Sequence, residues 1–284
     1  MELLGTVREI RQAVKAARLA GKRVGLVPTM GYLHDGHLSL MREARQASDF
    51  VVVSIFVNPT QFGPNEDLSR YPRDLDRDLA LCAAVPVDAV FHPEVGDVYP
   101  QPFLTSVRVA KLTEGLCGAS RPGHFEGVAT VVAKLFNIVR PDVAFFGQKD
   151  AQQLAVIRRM ALDLNLDDIA IRAVPTAREA DGLAMSSRNV YLSPPERQAA
   201  LVLSRALKAA GEQVAGGIRD MAALADSVRA QIAAEPLADI DYVSIVDYDT
   251  LQPLERLEHG RALAAVAVRF GKTRLIDNCI LEAQ

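Results

Sequence analysis

Apolar positions along the chain recur with two different periods, and the switches between them divide it into elements. Val7, Ile10, Val14 and Ala17 fall on one face at helical spacing, so the chain is predicted to open with an amphipathic helix. Short continuous apolar runs follow: Val24 to Val27, Phe50 to Val57, Ala89 to Phe91, Val143 to Phe146 and Ile169 to Val174. Helical patterns lie between them at Gly36 to Ala47, Asp74 to Ala84, Gly127 to Arg140 and Ala151 to Leu164. Strands that are apolar on both faces and alternate with helices predict an α/β fold, a Rossmann-like parallel sheet with helices on both faces. In such sheets ligands bind beyond the carboxyl ends of the strands.

The texture changes near residue 175. Thr176 to Asn189 is polar, with a flexible stretch expected at Glu179 to Met185. Ser193-Pro194-Pro195-Glu196 then signals a helix start. An Ala-rich stripe (Ala199, Val202, Leu203, Ala206, Leu207, Ala210) predicts one helix and a second follows. Strand-like runs come next at Tyr242 to Val246, Ala262 to Phe270 and Arg274 to Ile280. The expectation is a first domain over residues 1–174 and a smaller α+β domain over 175–284, hinged to close over a site.

Composition narrows the class. A net charge of −3 supplies no electrostatic footprint for nucleic acid or an anionic membrane, and no apolar run approaches the ~20 residues of a membrane span. The stripe Arg8, Arg11, Lys15 and Arg18 on the first helix is the ordinary sign of a solvated face. Cys82, Cys117 and Cys279 are scattered, without a C-x-x-C pair, which fits a reducing compartment. The charged N-terminus lacks the apolar core of a secretory signal. A cytoplasmic protein is expected.

Four polar segments sit at predicted strand ends. Pro28-Thr29-Met30-Gly31-Tyr32-Leu33-His34-Asp35-Gly36-His37 leads from a strand into a helix, with two glycines where a base or ribose can approach the backbone. His34 and His37 stand together at the positive end of a helix, which suits phosphate oxygens; the same letters also describe a plain strand-to-helix turn. A zinc pair lacks H-E-x-x-H and a third ligand. Gly147-Gln148-Lys149-Asp150 pairs a cation with a helix cap, and Asp181 to Asn189 holds Met185, two hydroxyls (Ser186, Ser187) and Arg188, a phosphate clamp or a polar loop. Asn58-Pro59-Thr60-Gln61-Phe62 offers neutral amides for hydroxyls and carboxylates, or a turn. Gly271-Lys272-Thr273 imitates the end of a Walker loop, but Val266 replaces the leading glycine, and no G-x-G-x-x-G follows a strand.

Taken in order, these segments, with Tyr71-Pro72-Arg73 and Arg121-Pro122-Gly123-His124-Phe125, closely resemble the pantoate–β-alanine ligases of the H-x-G-H nucleotidyltransferase superfamily, from about Val24 to Leu192. The resemblance implies ATP-dependent joining of D-pantoate to β-alanine through an acyl adenylate, with Mg²⁺ accompanying ATP, in a homodimer. It implies that His34, His37, Lys149 and Arg188 are catalytic. ATP would be held by Met30, Gly31, Tyr32, Leu33, His34, Asp35, Gly36, His37, Gly147, Gln148, Lys149, Asp150, Ala177, Met185, Ser186, Ser187 and Arg188. Gln61, Gln153 and Asn58 would take pantoate, Gln61 also β-alanine, and Asp78 would serve the metal. A relative that stops at a nucleotidyl product, and a nucleotide-binding module without turnover, are the competing readings.

Overall fold

The computed structural model describes residues 1–64 and 66–283. In chain order the elements are β1 (Glu2–Leu4), α1 (Val7–Leu19), β2 (Val24–Thr29), α2 (Asp35–Ala47), β3 (Phe50–Ile55), α3 (Leu75–Ala84), β4 (Ala89–Phe91), α4 (Val95–Val98), α5 (Leu116–Ser120), α6 (His124–Val139), β5 (Val143–Gly147) and α7 (Ala151–Asp163). There follow β6 (Ala170–Val174), α8 (Pro194–Ala199), α9 (Leu201–Ala215), α10 (Met221–Ala233), β7 (Ala238–Asp247), β8 (Gly260–Phe270) and β9 (Thr273–Ala283).

β1 to β6 form one parallel sheet in the order β1-β4-β3-β2-β5-β6. Its middle strands are buried along almost their whole length, as their unbroken Val/Ile/Phe runs require. One face carries Val27, Val51, Val53, Ile55 and Phe145, covered by Leu38, Met41 and Ala44 of α2 and Cys82 of α3. Strand alternation turns the intervening residues to the other face, where Phe146 meets Phe136 of α6 edge-on at 6.4 Å. α1 starts at a capping box in which Thr6 and Glu9 satisfy each other's main chain, and it packs Ile10, Val14 and Ala17 inward.

The boundaries of α6 and β3 depart from the sequence expectation for local causes. α6 begins at His124 because Gly123, at φ 81°, ends the preceding segment, and it stops at Arg140 in the left-handed region. β3 ends at Ile55, two residues early, since Asn58 turns the chain with its own side chain. The Ala-rich helix is preceded by a separate short one, α8, whose Ser193–Glu196 capping box starts it as expected. β1, α4 and α5 escaped the sequence reading, being too short to show a period.

The chain forms two compact units: residues 1–110, 121–148 and 153–175 in the first, and Lys111–Ser120, Lys149–Gln152 and Thr176–Gln284 in the second. The second unit therefore takes two short segments from before residue 175. Gln152 holds the 112–117 segment by accepting from Cys117 N at 2.9 Å and donating to the Leu112 and Gly115 carbonyls. Lys149 O accepts from Asn278 Nδ2 at 2.7 Å. The rest of this unit is the antiparallel sheet β7-β8-β9 backed by α9 and α10, with Leu203, Leu207, Leu224, Val228, Val266 and Phe270 in its core.

One packing detail in the first unit bears on the site. A Cβ on Gly127 of α6 would stand 2.5 Å from the Thr60 carbonyl carbon and 2.6 Å from Gln61 N, so the helix touches the main chain that carries Gln61. Gly127→Ala is expected to cost about 1–3 kcal/mol by overpacking. Gly211→Ala, in open space on α9, is expected to stabilise by about 0.5–1 kcal/mol. Thermal unfolding of the two variants should shift in opposite directions.

Candidate active site

The turn after β2 is built from main-chain constraints. Thr29 Oγ1 donates to Ser54 O at 2.7 Å and accepts from Gly31 N at 3.2 Å. Gly31 has φ 80°, and a Cβ there would lie 2.9 Å from both Asp78 Oδ2 and Ile55 Cγ2, so conformation and space both demand glycine. Tyr32 follows at φ 50°, its ring under the Arg77 guanidinium at 5.0 Å. Leu33 is fully buried.

His34 then caps α2. Its Nδ1 accepts from Gly36 N at 3.1 Å, and His37 Nδ1 accepts from His34 N at 3.3 Å. A neutral imidazole that accepts at Nδ1 carries its proton on Nε2. Both rings, 4.1 Å apart, therefore hold an Nε2–H donor at the positive end of the helix. Asp35, exposed, supplies an acidic group to the same first turn.

A second group lies after β3. Asn58 is buried and its amide is fully committed. Its Oδ1 accepts from Tyr99 OH at 2.8 Å and Thr60 Oγ1 at 3.0 Å, and its Nδ2 donates to Gln61 Oε1 at 3.1 Å and Gly127 O at 3.2 Å. The Gly127 carbonyl, which can only accept, thus settles which end of Asn58 is the donor, and Asn58 settles the Gln61 amide. Gln61 Nε2 is left pointing to Met30 Sδ at 3.2 Å, beside the first turn. Asn58 stands behind Gln61 and orients it.

His124 holds the main chain of the same residue. Arg121 Nη1 can only donate, so His124 Nε2, 3.0 Å away, accepts, and Nδ1 carries the proton donated to Gln61 O at 2.8 Å. Arg121 grips Glu66 with Nε and Nη2, each at 2.6 Å. Burial pushes the Glu66 carboxyl up, but the Arg121 hydrogen bonds and charge hold it below the usual carboxylate range. Tyr99, His124 and Glu66 were not among the expected site residues. The Arg-Pro-Gly-His-Phe segment signalled His124, whereas nothing local marks Tyr99, whose ring is fixed by Phe103 edge-on at 4.8 Å.

Asp78, expected at a metal, faces the protein interior. It is buried, and its Oδ2 and Oδ1 accept from Tyr32 N and Leu33 N, each at 2.7 Å. Among the described residues no group of three or more His, Cys, Asp or Glu is placed to hold a metal ion. Gly147 ends β5, and the space beyond its Cα is open. Gln148 follows it, and Gln153 lies half-buried on the first turn of α7.

The other expected residues lie in the second unit. Lys149 and Asp150 form a single 3₁₀ turn with Gln148, and the Lys149 ammonium has no carboxylate partner among the described residues. Ser186 caps a second such turn, Ser187–Tyr191, by accepting from Arg188 N at 3.2 Å. The stretch from Glu179 to Met185, expected to be flexible, is instead a pinned hairpin. Met185 N donates to Ala177 O and Glu179 N to Leu183 O, while Arg178 donates to both oxygens of buried Asp277, at 2.7 and 3.0 Å. Asn189 Nδ2 donates to Glu179 Oε1 at 3.0 Å. Ser186–Arg188 thus emerge from a braced loop.

A family model described as pantoate-beta-alanine ligase matches residues 2–280. A pantothenate synthetase of Pelotomaculum thermopropionicum is 61% identical over 281 residues, 99% of each chain. One of Heliobacterium modesticaldum is 62% identical over 282 residues, 99% of this chain and all of that one. Among solved structures, pantothenate synthetase from Thermus thermophilus superposes with a TM-score of 0.93 at 50% identity, covering 98% of this chain and 99% of that one. The Francisella tularensis pantoate-beta-alanine ligase, complexed with beta-gamma ATP and beta-alanine, gives 0.80 at 33% identity, covering 99% and 97%. With a family model matched over residues 2–280 and relatives 61–62% identical over 99% of it, the chain belongs to the pantoate–β-alanine ligase family.

Proposed function

We propose that this protein joins D-pantoate to β-alanine, converting ATP to AMP and pyrophosphate by way of pantoyl adenylate. The observation that carries the reading is the pairing of two imidazole Nε2 donors at a helix N-terminus with a Gln61 amide whose nitrogen is turned to the same turn through Met30. A carboxylate is inert to an amine at neutral pH, so it must first acquire a leaving group. A pantoate carboxylate oxygen attacks the α-phosphorus and the bond to the β-phosphate oxygen breaks, releasing pyrophosphate. The β-alanine nitrogen then attacks the acyl carbon, the bond to AMP breaks, and the amine loses a proton.

The first step gathers negative charge on the departing pyrophosphate, and preorganised donors stabilise that charge. His34 and His37 offer Nε2–H, with His37 as donor to the leaving group. Lys149, Ser186, Ser187 and Arg188 are further ATP donors that the family resemblance implies. Met30 and Gly147 offer main chain, Asp150 the ribose contact, and Ala177 the neighbourhood of the base. The Gln61 NH₂ and Gln153 amide take the oxygens of pantoate, and Gln61 also serves β-alanine. Asp78 does not fit a resident metal, since it is buried against the Gly31–Leu33 turn with Arg77 beside it, so magnesium enters as part of the substrate, Mg-ATP. The same proposal includes a homodimer, to be read by analytical ultracentrifugation. It also includes a cytoplasmic setting, in keeping with three free thiols, of which burial pushes Cys82 and Cys279 up to about 12.

The test is AMP and pyrophosphate release from Mg-ATP and D-pantoate, with and without β-alanine, while pantothenate is followed by mass. Amide formed one for one with AMP supports the reading; a nucleotidyl product that accumulates in the presence of β-alanine refutes it. ATP binding without AMP release would point to a module that has lost turnover.

Two substitutions sharpen the roles. His37→Ala should lower kcat by about 10²–10³, the loss seen when one transition-state donor is removed. Gln61→Glu keeps the shape and the bond from Asn58 but presents an oxygen where an N–H faced the substrate. It should raise the KM for pantoate tenfold or more, as expected for a charged partner left unmatched at about 1.5–3 kcal/mol, with the KM for ATP little changed.

A further inference from the structure

Among the described residues Asp78 is the one strongly buried carboxylate packed against the histidine-bearing turn, and its surroundings define its work. It sits on the first turn of α3 at 1% exposure. Tyr32 N and Leu33 N are successive main-chain donors, and each reaches a different oxygen at 2.7 Å. Gly31 and Tyr32 are both left-handed, at φ 80° and 50°, where the chain turns toward the carboxylate. For Tyr32, a residue with a bulky side chain, that conformation is strained and persists only where its surroundings enforce it. Two charge-assisted hydrogen bonds from one buried group supply that enforcement.

The contacts leave little room for a cation. Gly31 is seated so close that even a Cβ would lie 2.9 Å from Oδ2, and Arg77 brings its guanidinium within 3.9 Å of Oδ1. Burial pushes the carboxyl above its ordinary range, against the two main-chain donors and Arg77, which lower it. Among the described residues no group of three or more His, Cys, Asp or Glu surrounds Asp78, so the protein offers no cage of its own for a cation there.

We infer that Asp78 is a positioning residue: its buried carboxylate holds the Gly31–Leu33 turn, and the turn sets where His34 and His37 present their Nε2 donors. The inference rests on the assignment of those histidines to ATP. The chain of contact is short. Leu33 N is bound, the next residue is the helix cap His34, and His37 Nδ1 closes onto His34 N at 3.3 Å. A displacement at the turn therefore passes directly to both rings.

The experiment compares Asp78→Asn with the wild type and with His37→Ala. Asparagine keeps the shape but sets an NH₂ against one of the two N–H donors, so the turn loses one anchor. The expected result is a fall in kcat of about 10²-fold, the size of a 1 Å misplacement, with a raised KM for ATP. The Mg²⁺ concentration for half-maximal rate should stay unchanged at fixed Mg-ATP. In nucleotide-free protein the His34 and His37 ring resonances should shift. A half-maximal Mg²⁺ concentration raised tenfold or more, with kcat restored at high metal, would overturn the inference in favour of a metal ligand. Unmoved histidine resonances with unchanged kcat would overturn it as well. If His37→Ala retained full activity, the ATP assignment would fail instead, a separate result. Should Asp78→Asn not fold, the wild type still decides. Without nucleotide, Mn²⁺ should leave the Tyr32 and Leu33 amide resonances sharp, and selective broadening there would refute the inference.

Discussion

Strands buried on both faces cannot carry polar chemistry along their length, and the first unit follows from that constraint. β2, β3 and β5 are sealed by helices on either side, so polar side chains collect where each strand ends. There the sheet no longer pairs the main chain, and other partners must satisfy it. Asp78 does so after β2, the Asn58 side chain after β3, and a 3₁₀ turn after β5. These same places hold the expected site residues. Satisfying the chain ends and orienting the chemistry are one task.

The amide relay shows how a neutral site acquires direction. An amide can turn over with little change in shape, so a glutamine alone does not distinguish donor from acceptor. The Gly127 carbonyl can only accept and the Thr60 N–H can only donate, so Asn58 Nδ2 and Oδ1 are fixed; from there the polarity runs through Asn58 Nδ2 to Gln61 Oε1. His124 and Arg121 brace the main chain of Gln61 from another side. The direction of the Gln61 amide is thus specified by a main-chain carbonyl two hydrogen bonds away.

The second unit applies the same economy to its loops. β9 offers Asp277 to Arg178 and Asn278 to Lys149 O, so adjacent residues of one strand brace both polar segments expected to serve ATP. Arg197 adds ion pairs to Glu179 and Asp181. Polar composition in Glu179 to Met185 suggested mobility, yet each polar group there proved to be a tether. Composition reports that a segment is not core; it does not report whether its polar groups are paired.

Much of the architecture was legible because period and burial are local properties. The middle strands, the helices with long apolar stripes, the strand runs of the second sheet and the place of His34 and His37 at a helix start could all be read from letter order. Three-residue β1 and short α4 and α5 could not, since a period needs length to show itself. The partners of the site residues were the larger omission. Asp78 meets Tyr32 across 46 residues and Tyr99 meets Asn58 across 41. The sequence by itself determined which chemical groups stand at each strand end. Only the tertiary structure decided which way those groups point and which of them are spent on the fold, because a hydrogen bond is directional and its partner is chosen by proximity in space.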